Sequence, residues 1–166
     1  MKPVLCAALL ATVALAEARA VDVSGVYENF GSMVAAGAEA ADGAISLQGL
    51  CNLDFDYGAH RALHADTDRV VITQTDLIFR IECKTSDGNV VWSGQWSQGI
   101  GYRADDRQVE LVFHSRRLAQ DYFGFTLRTV GDQNLLLIEV QRVNSTYFGP
   151  VAKPIGSFLF SRLPRK

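Results

Sequence analysis

The chain has 166 residues, 48% of them hydrophobic and 20% charged, which is enough apolar material for one ordinary domain with a real core. Its formal net charge of −2 gives no global attraction to nucleic acid or to an anionic membrane surface. Glycine and aromatic residues are plentiful while proline is scarce, a mixture that suits strands joined by tight turns and argues against disorder.

The first twenty residues read as a secretory signal. Lys2 supplies the positive start, Val4 to Ala16 is an apolar run, and Ala18-Arg19-Ala20 places small residues where a signal peptidase cuts. The run is shorter than the ~20 apolar residues that a membrane span needs. No later stretch is long and apolar enough to span either, so no integral membrane segment is expected after cleavage. Residues 21–166 are therefore expected to form a single exported domain, periplasmic or secreted. Cys6 falls inside the signal. The two remaining cysteines, Cys51 and Cys83, are expected to pair as a disulfide, since an even pair in an oxidising compartment oxidises.

Along the mature chain, Val23 to Asn29 is a short strand. Phe30 to Ala41 is Ala-rich and reads as a short helix or an irregular crossover. Ala44 to Asn52 alternates as a strand, with Ile45, Leu47, Gly49 and Cys51 on one face. Asp54 to Asp68 is polar and reads as a long loop. Arg69 to Gln74 is a strand. Leu77 to Lys84 shows the clearest period of two, with Leu77, Phe79, Ile81 and Cys83 facing one way and Arg80, Glu82 and Lys84 the other. Asp87-Gly88 turns the chain into Val90 to Trp96. Gln108 to Ser115, Gln120 to Val130, Leu135 to Val143 and Ile155 to Leu163 follow as strands, with residues 149–154 as a loop. These nine strands, with short turns and no helix–strand repeat, predict an all-β domain. An antiparallel up-and-down barrel of 8–9 strands is expected, because closure removes unpaired edges.

An opening Ser24-Gly25-Val26-Tyr27 and a closing strand with Phe158, Phe160 and Arg162, behind an export signal, resemble the lipocalin-like ligand-binding barrels. Those barrels open on Gly-x-Trp, and an arginine of the last strand covers the ring. Tyr27 stands here in place of the tryptophan and Arg162 in place of the arginine, and no C-terminal helix pattern follows. The resemblance implies a lipocalin-like barrel in which Arg162 lies over Tyr27.

The candidate chemistry is thin. His60 and His64 are four apart and flanked by Asp54, Asp56, Asp66 and Asp68, yet DYGAHRALHADTD has neither a helical pattern nor an EF-hand order, so the stretch reads as a solvated loop and no metal is assigned to it. His114 to Arg117 is a basic cluster at a strand end that reads as solvated. Asn144-Ser145-Thr146 matches the glycosylation triplet and reads as a surface loop. There is no Gly-x-Ser-x-Gly elbow, no phosphate loop and no complete metal set, so no cofactor is implied and binding is favoured over catalysis. Trp92 and Trp96 share a parity mid-strand and are expected to line a lumen for an apolar ligand, or else to fill a small barrel. Tyr122 and Arg128, also of one parity, are expected to add polar contacts from a facing strand. Three functions compete on these residues: an exported barrel that binds a small apolar or amphipathic molecule, a protein-binding module such as a periplasmic inhibitor or accessory subunit, and, least favoured, a metal-dependent enzyme using the His60/His64 loop.

Overall fold

A computed structural model describes residues 20–34, 45–55, 57–114, 121–147 and 149–164. Residues 1–19 of the expected signal segment 1–20 lie outside them, as do 35–44, which take in most of the Ala-rich stretch, and 115–117 of the basic cluster.

The described residues form eleven strands: β1 (Gly25–Glu28), β2 (Phe30–Met33), β3 (Ile45–Ser46), β4 (Arg69–Gln74), β5 (Ile78–Lys84), β6 (Val90–Gln98), β7 (Gly101–Ala104), β8 (Val109–His114), β9 (Asp121–Val130), β10 (Leu135–Thr146) and β11 (Gly149–Ser161). Two short helices, α1 (Leu47–Cys51) and α2 (His60–Leu63), lie between β3 and β4. The strands make one sheet in the order β1-β4-β5-β6-β7-β8-β9-β10-β11-β2-β3. All neighbours are antiparallel except β6 and β7, which pair in parallel through Ser97 with Gly101 and Gln98 with Tyr102.

The sheet curls strongly and stays an open half-barrel, not the closed antiparallel barrel of 8–9 strands. Two local features account for the difference. At Gly99 and Gly101 the backbone takes φ of +76° and +80°, a conformation that glycine reaches without strain, and the chain steps sideways there. β6 therefore ends on β5 while β7 continues against β8, and an opening is left between β6 and β8. At the other end, β1 meets β11 through one isolated bridge, Tyr27 with Arg162, and not through a ladder.

The core follows the alternation of the longer strands. Phe79, Ile81 and Cys83 of β5, Val109, Leu111 and Phe113 of β8, Phe125 and Leu127 of β9, and Leu136 and Ile138 of β10 all point to the concave side and are buried. Phe158 and Phe160 of β11 join them, with Tyr27 of β1. The tightest backbone approach lies under β2, where a Cβ on Gly31 would sit 2.1 Å from the Leu159 carbonyl oxygen.

Several segments differ from the sequence reading, the unforeseen β7 among them. Residues 45–52, expected as a strand, are mostly helix: Ser46 caps α1, its hydroxyl accepting from the Gly49 amide at 3.1 Å, and Leu47, Leu50 and Cys51 are buried. Phe30–Met33 is strand, held on β11 through Met33 with Phe158 and Ser32 with Leu159. Residues 149–154 extend β11, although Pro150 and Pro154 lie among them. β2 pairs only at Phe158 and Leu159, so the prolines sit along a stretch whose second edge is open, where a missing amide hydrogen costs no ladder bond.

Candidate functional site

The opening between β6 and β8 is the mouth of a groove of about 1000 Å³. β6 supplies Trp92 and Trp96, β8 supplies Phe113, β9 supplies Phe123, β10 supplies Arg142, and Cys51 to Asp54 at the end of α1 form a further wall. Ligand sites are typically ~300–1000 Å³. A second cavity, walled by Asp22, Gln74, Asp76 and Tyr102, is polar-rimmed and measures only about 270 Å³, below that range.

The two tryptophans owe their placement to the strand period. Trp92, Gly94 and Trp96 are the cross-strand partners of Cys83, Ile81 and Phe79, so they share the concave face. Both rings stay half-exposed. They lean over Gly94 from either side: a Cβ there would fall 2.5 Å from the Trp96 ring and 2.7 Å from the Trp92 ring. Trp96 also reaches across the opening, donating from Nε1 to the Val112 carbonyl at 3.1 Å and packing on Phe113 at 4.6 Å between ring centroids. Phe113 packs in turn on Phe125 at 4.2 Å, and Phe55 on Phe123 at 5.1 Å, so the floor is continuously aromatic.

Tyr122 and Arg128 do not join this site, and the expectation of an inward orientation is corrected. On β9 the inward parity belongs to Phe123, Phe125 and Leu127, which puts Tyr122 and Arg128 on the convex face. Arg128 pairs there with the Glu139 carboxylate, and the Tyr122 ring sits 6.4 Å from that of its cross-strand neighbour His114. From β10, Arg142 contributes a charged group to the groove lining. It shares the parity of Leu136, Ile138 and Val140, so an arginine in register with an inward apolar run was the signal for it. Asn144 lies within the β10 ladder and is half-buried, not in a surface loop.

Cys51 and Cys83 are separate thiols in this structure, both buried, so the expected disulfide is not formed here. Burial pushes the Cys83 thiol up to about 12. Burial and the nearby Cys83 raise Cys51 well above the usual thiol range. Both stay protonated at neutral pH and are poor nucleophiles in the folded state.

The His60/His64 segment is not a solvated loop. A 3-10 turn at Tyr57–Ala59 leads into α2, and His60 is completely buried against Gly49 of α1. Its Nδ1 accepts from the Ser46 amide at 3.0 Å, which leaves the proton on Nε2 to be donated to the Asp54 carbonyl at 3.0 Å. Asn29 completes the cluster. Its amide donates to the His64 carbonyl at 3.2 Å, and its Oδ1 accepts from the Ser46 hydroxyl at 3.0 Å and the Gln48 amide at 3.1 Å. His64 is held below the ordinary imidazole value by burial, with His60 adding to the shift and Asp54 opposing it. Both rings lie near one Asp54 carboxylate oxygen, at 3.8 and 3.9 Å. His60 already spends both ring nitrogens on backbone bonds, and among the described residues no group of three His, Cys, Asp or Glu side chains is placed to hold a metal. The cluster is an anchor for α1 and α2.

Tyr27 is buried, and its hydroxyl donates to the Val23 carbonyl at 2.8 Å. The Arg162 guanidinium lies 5.8 Å from the centre of its ring and donates to the Ser24 and Gln133 carbonyls. Among the described residues no helix is long and apolar enough to cross a membrane. Comparison of the chain with protein-family models, with curated proteins and with solved structures gave no match.

Proposed function

We propose that the protein is an exported binding module whose half-barrel groove takes an apolar or amphipathic ligand. One observation carries this reading: two half-exposed tryptophans fold over Gly94 at the floor of a groove of about 1000 Å³. Large aromatic faces left open to water are costly unless something covers them part of the time. Arg142 offers the groove a polar contact for the charged or hydrogen-bonding end of an amphipathic molecule. The lipocalin-like reading is supported by the Tyr27–Arg162 contact alone. A protein partner is the second reading, favoured by the open side of β6.

Tryptophan emission of the delipidated protein, titrated with fatty acids, lysolipids and a hydrophobic dye, tests the groove. Binding is expected to shift the emission to the blue. Gly94→Val should abolish that shift, because its side chain would occupy the space where the two rings meet. A panel that leaves the emission unmoved would sink the small-ligand reading.

The two buried thiols carry an expectation of their own. Cys51 and Cys83 should react slowly with an alkylating reagent in the folded protein and quickly after unfolding in denaturant, because burial keeps both protonated. Mass spectrometry of protein alkylated before and after unfolding reads this, and fast labelling of the folded protein would show that the thiols are accessible.

A further inference from the structure

The phase of the β5–β6 ladder determines which way the β6 backbone faces. The Gln98 amide donates to the Leu77 carbonyl at 2.9 Å, and the register continues through Phe79 with Trp96, Ile81 with Gly94 and Cys83 with Trp92. In an antiparallel ladder bonded pairs recur every second residue, so these positions turn their N–H and C=O groups toward β5. Ser93 and Gln95 turn theirs the other way, into the opening. There they have no ladder partner among the described residues, because β7 takes up pairing only from Ser97 onward.

The edge is also unprotected. Sheet edges are normally blunted by charges or proline. Val90 to Gln98, sequence VVWSGQWSQ, contains neither, whereas β5 beside it carries Arg80, Glu82 and Lys84. Val90 and Val91 at its start are 49% and 46% exposed.

We propose that the open edge of β6 receives an extended polypeptide strand from another protein, uncharged where it pairs, and that this strand supplies the wall missing between β6 and β8. The inference rests on the groove being a binding site and names its ligand as a peptide. A lipid tail covers the tryptophans and leaves the amide and carbonyl groups of Ser93 and Gln95 to water, whereas an extended backbone pairs with them and covers the rings at once. The Trp96–Val112 hydrogen bond ties β6 to β8 across one end of the opening, which favours one short strand over the longer sheet edge of a second copy. Alternate side chains of the incoming strand would meet Trp92 and Trp96, which selects apolar residues at those positions and leaves the others open to polar ones. The absence of charge on β6 disfavours no neutral strand and gives a charged one no ion partner on the edge.

The test selects nonapeptides from a displayed random library on the full chain and compares them on Ser93→Pro. Proline there removes an amide that faces the opening and spares the β5 ladder. The selected peptides are expected to be uncharged at their centres, to shift tryptophan emission, and to bind Ser93→Pro at least about tenfold more weakly. A hydrophobic dye should bind both proteins equally. On binding, the Ser93 and Gln95 amides should change from fast to slow hydrogen exchange, a readout that needs no variant and holds even if Ser93→Pro fails to fold. Peptides that bind Ser93→Pro as tightly as the parent, or leave those two amides fast, overturn the strand. No enriched peptide with a dye that still binds also overturns it and leaves the groove standing. Silence from both dye and peptides removes the groove reading itself.

Discussion

His60→Ala should cost about 3–5 kcal/mol of unfolding free energy, seen as a lowered urea midpoint with an unchanged slope. Two effects add. The Ser46 amide and the Asp54 carbonyl would each lose a buried partner, at about 1–3 kcal/mol apiece. The imidazole also fills the space above Gly49, whose missing side chain lets α1 lie against the ring; a Cβ there would come within 2.6 Å of it. Alanine therefore leaves a cavity as well as two orphaned groups. His60→Phe, which fills the space and satisfies neither group, should recover only part of the loss. A loss below about 1 kcal/mol for His60→Ala would mean that water or a rearranged α2 satisfies both groups, and that the cluster is not what anchors the helices.

That histidine also shows where reading a sequence for local pattern stops. DYGAHRALHADTD has no apolar period and carries three aspartates, with Asp54 just before it, so every local signal says loop. What buries it is tertiary: Ser46 and Asn29 supply partners from 14 and 35 residues away in the chain, and Gly49 lets α1 lie against the His60 ring. The segment before it misled for a related reason. Ile45, Leu47, Gly49 and Cys51 alternate as a strand would, but the Ser46 hydroxyl answers the Gly49 amide, and a single cap turned the run into a helix. β5 and β8 were legible because one face of each is wholly apolar and the other carries the charged or polar residues Arg80, Glu82 and Lys84, or Glu110 and His114. β9 shows the limit of a period of two. Parity placed Tyr122 and Arg128 on one face, and they do share it, but parity does not say which face is inside. The heavier set, Phe123, Phe125 and Leu127, takes the core. The same rule brought Trp92 and Trp96 together on the groove, while Arg142 needed the parity of β10 to be followed two residues past Val140. The open barrel was illegible because it depends on a sideways step at Gly99 and Gly101. In the sequence those glycines look like any other turn.

Tyr27→Ala should be the second large loss, about 3–5 kcal/mol, since it empties a fully buried aromatic site. The damage should exceed that of an ordinary core ring in one respect: Tyr27 sits where the first strand meets the last. Arg162 crosses the backbone beside Gly25, where a Cβ would lie 2.6 Å from its Nε, and ties Ser24 on β1's side to Gln133 in the turn before β10. Leu163 adds a bond from its amide to the Val26 carbonyl at 2.7 Å. With only one bridge between β1 and β11, this cluster carries the contact between the two strands. Tyr27→Phe separates the ring from its hydroxyl and should cost about 1–3 kcal/mol, the penalty for leaving the Val23 carbonyl unpaired. A double-mutant cycle of Tyr27→Leu and Arg162→Leu then isolates the contact between guanidinium and ring, with an expected coupling of about 0.5–2 kcal/mol by urea unfolding. A coupling of zero would mean that the arginine works through its carbonyl bonds alone. In that case the Tyr27 ring supports β1 by its own packing, and the support offered to the lipocalin-like reading by this pair would be withdrawn.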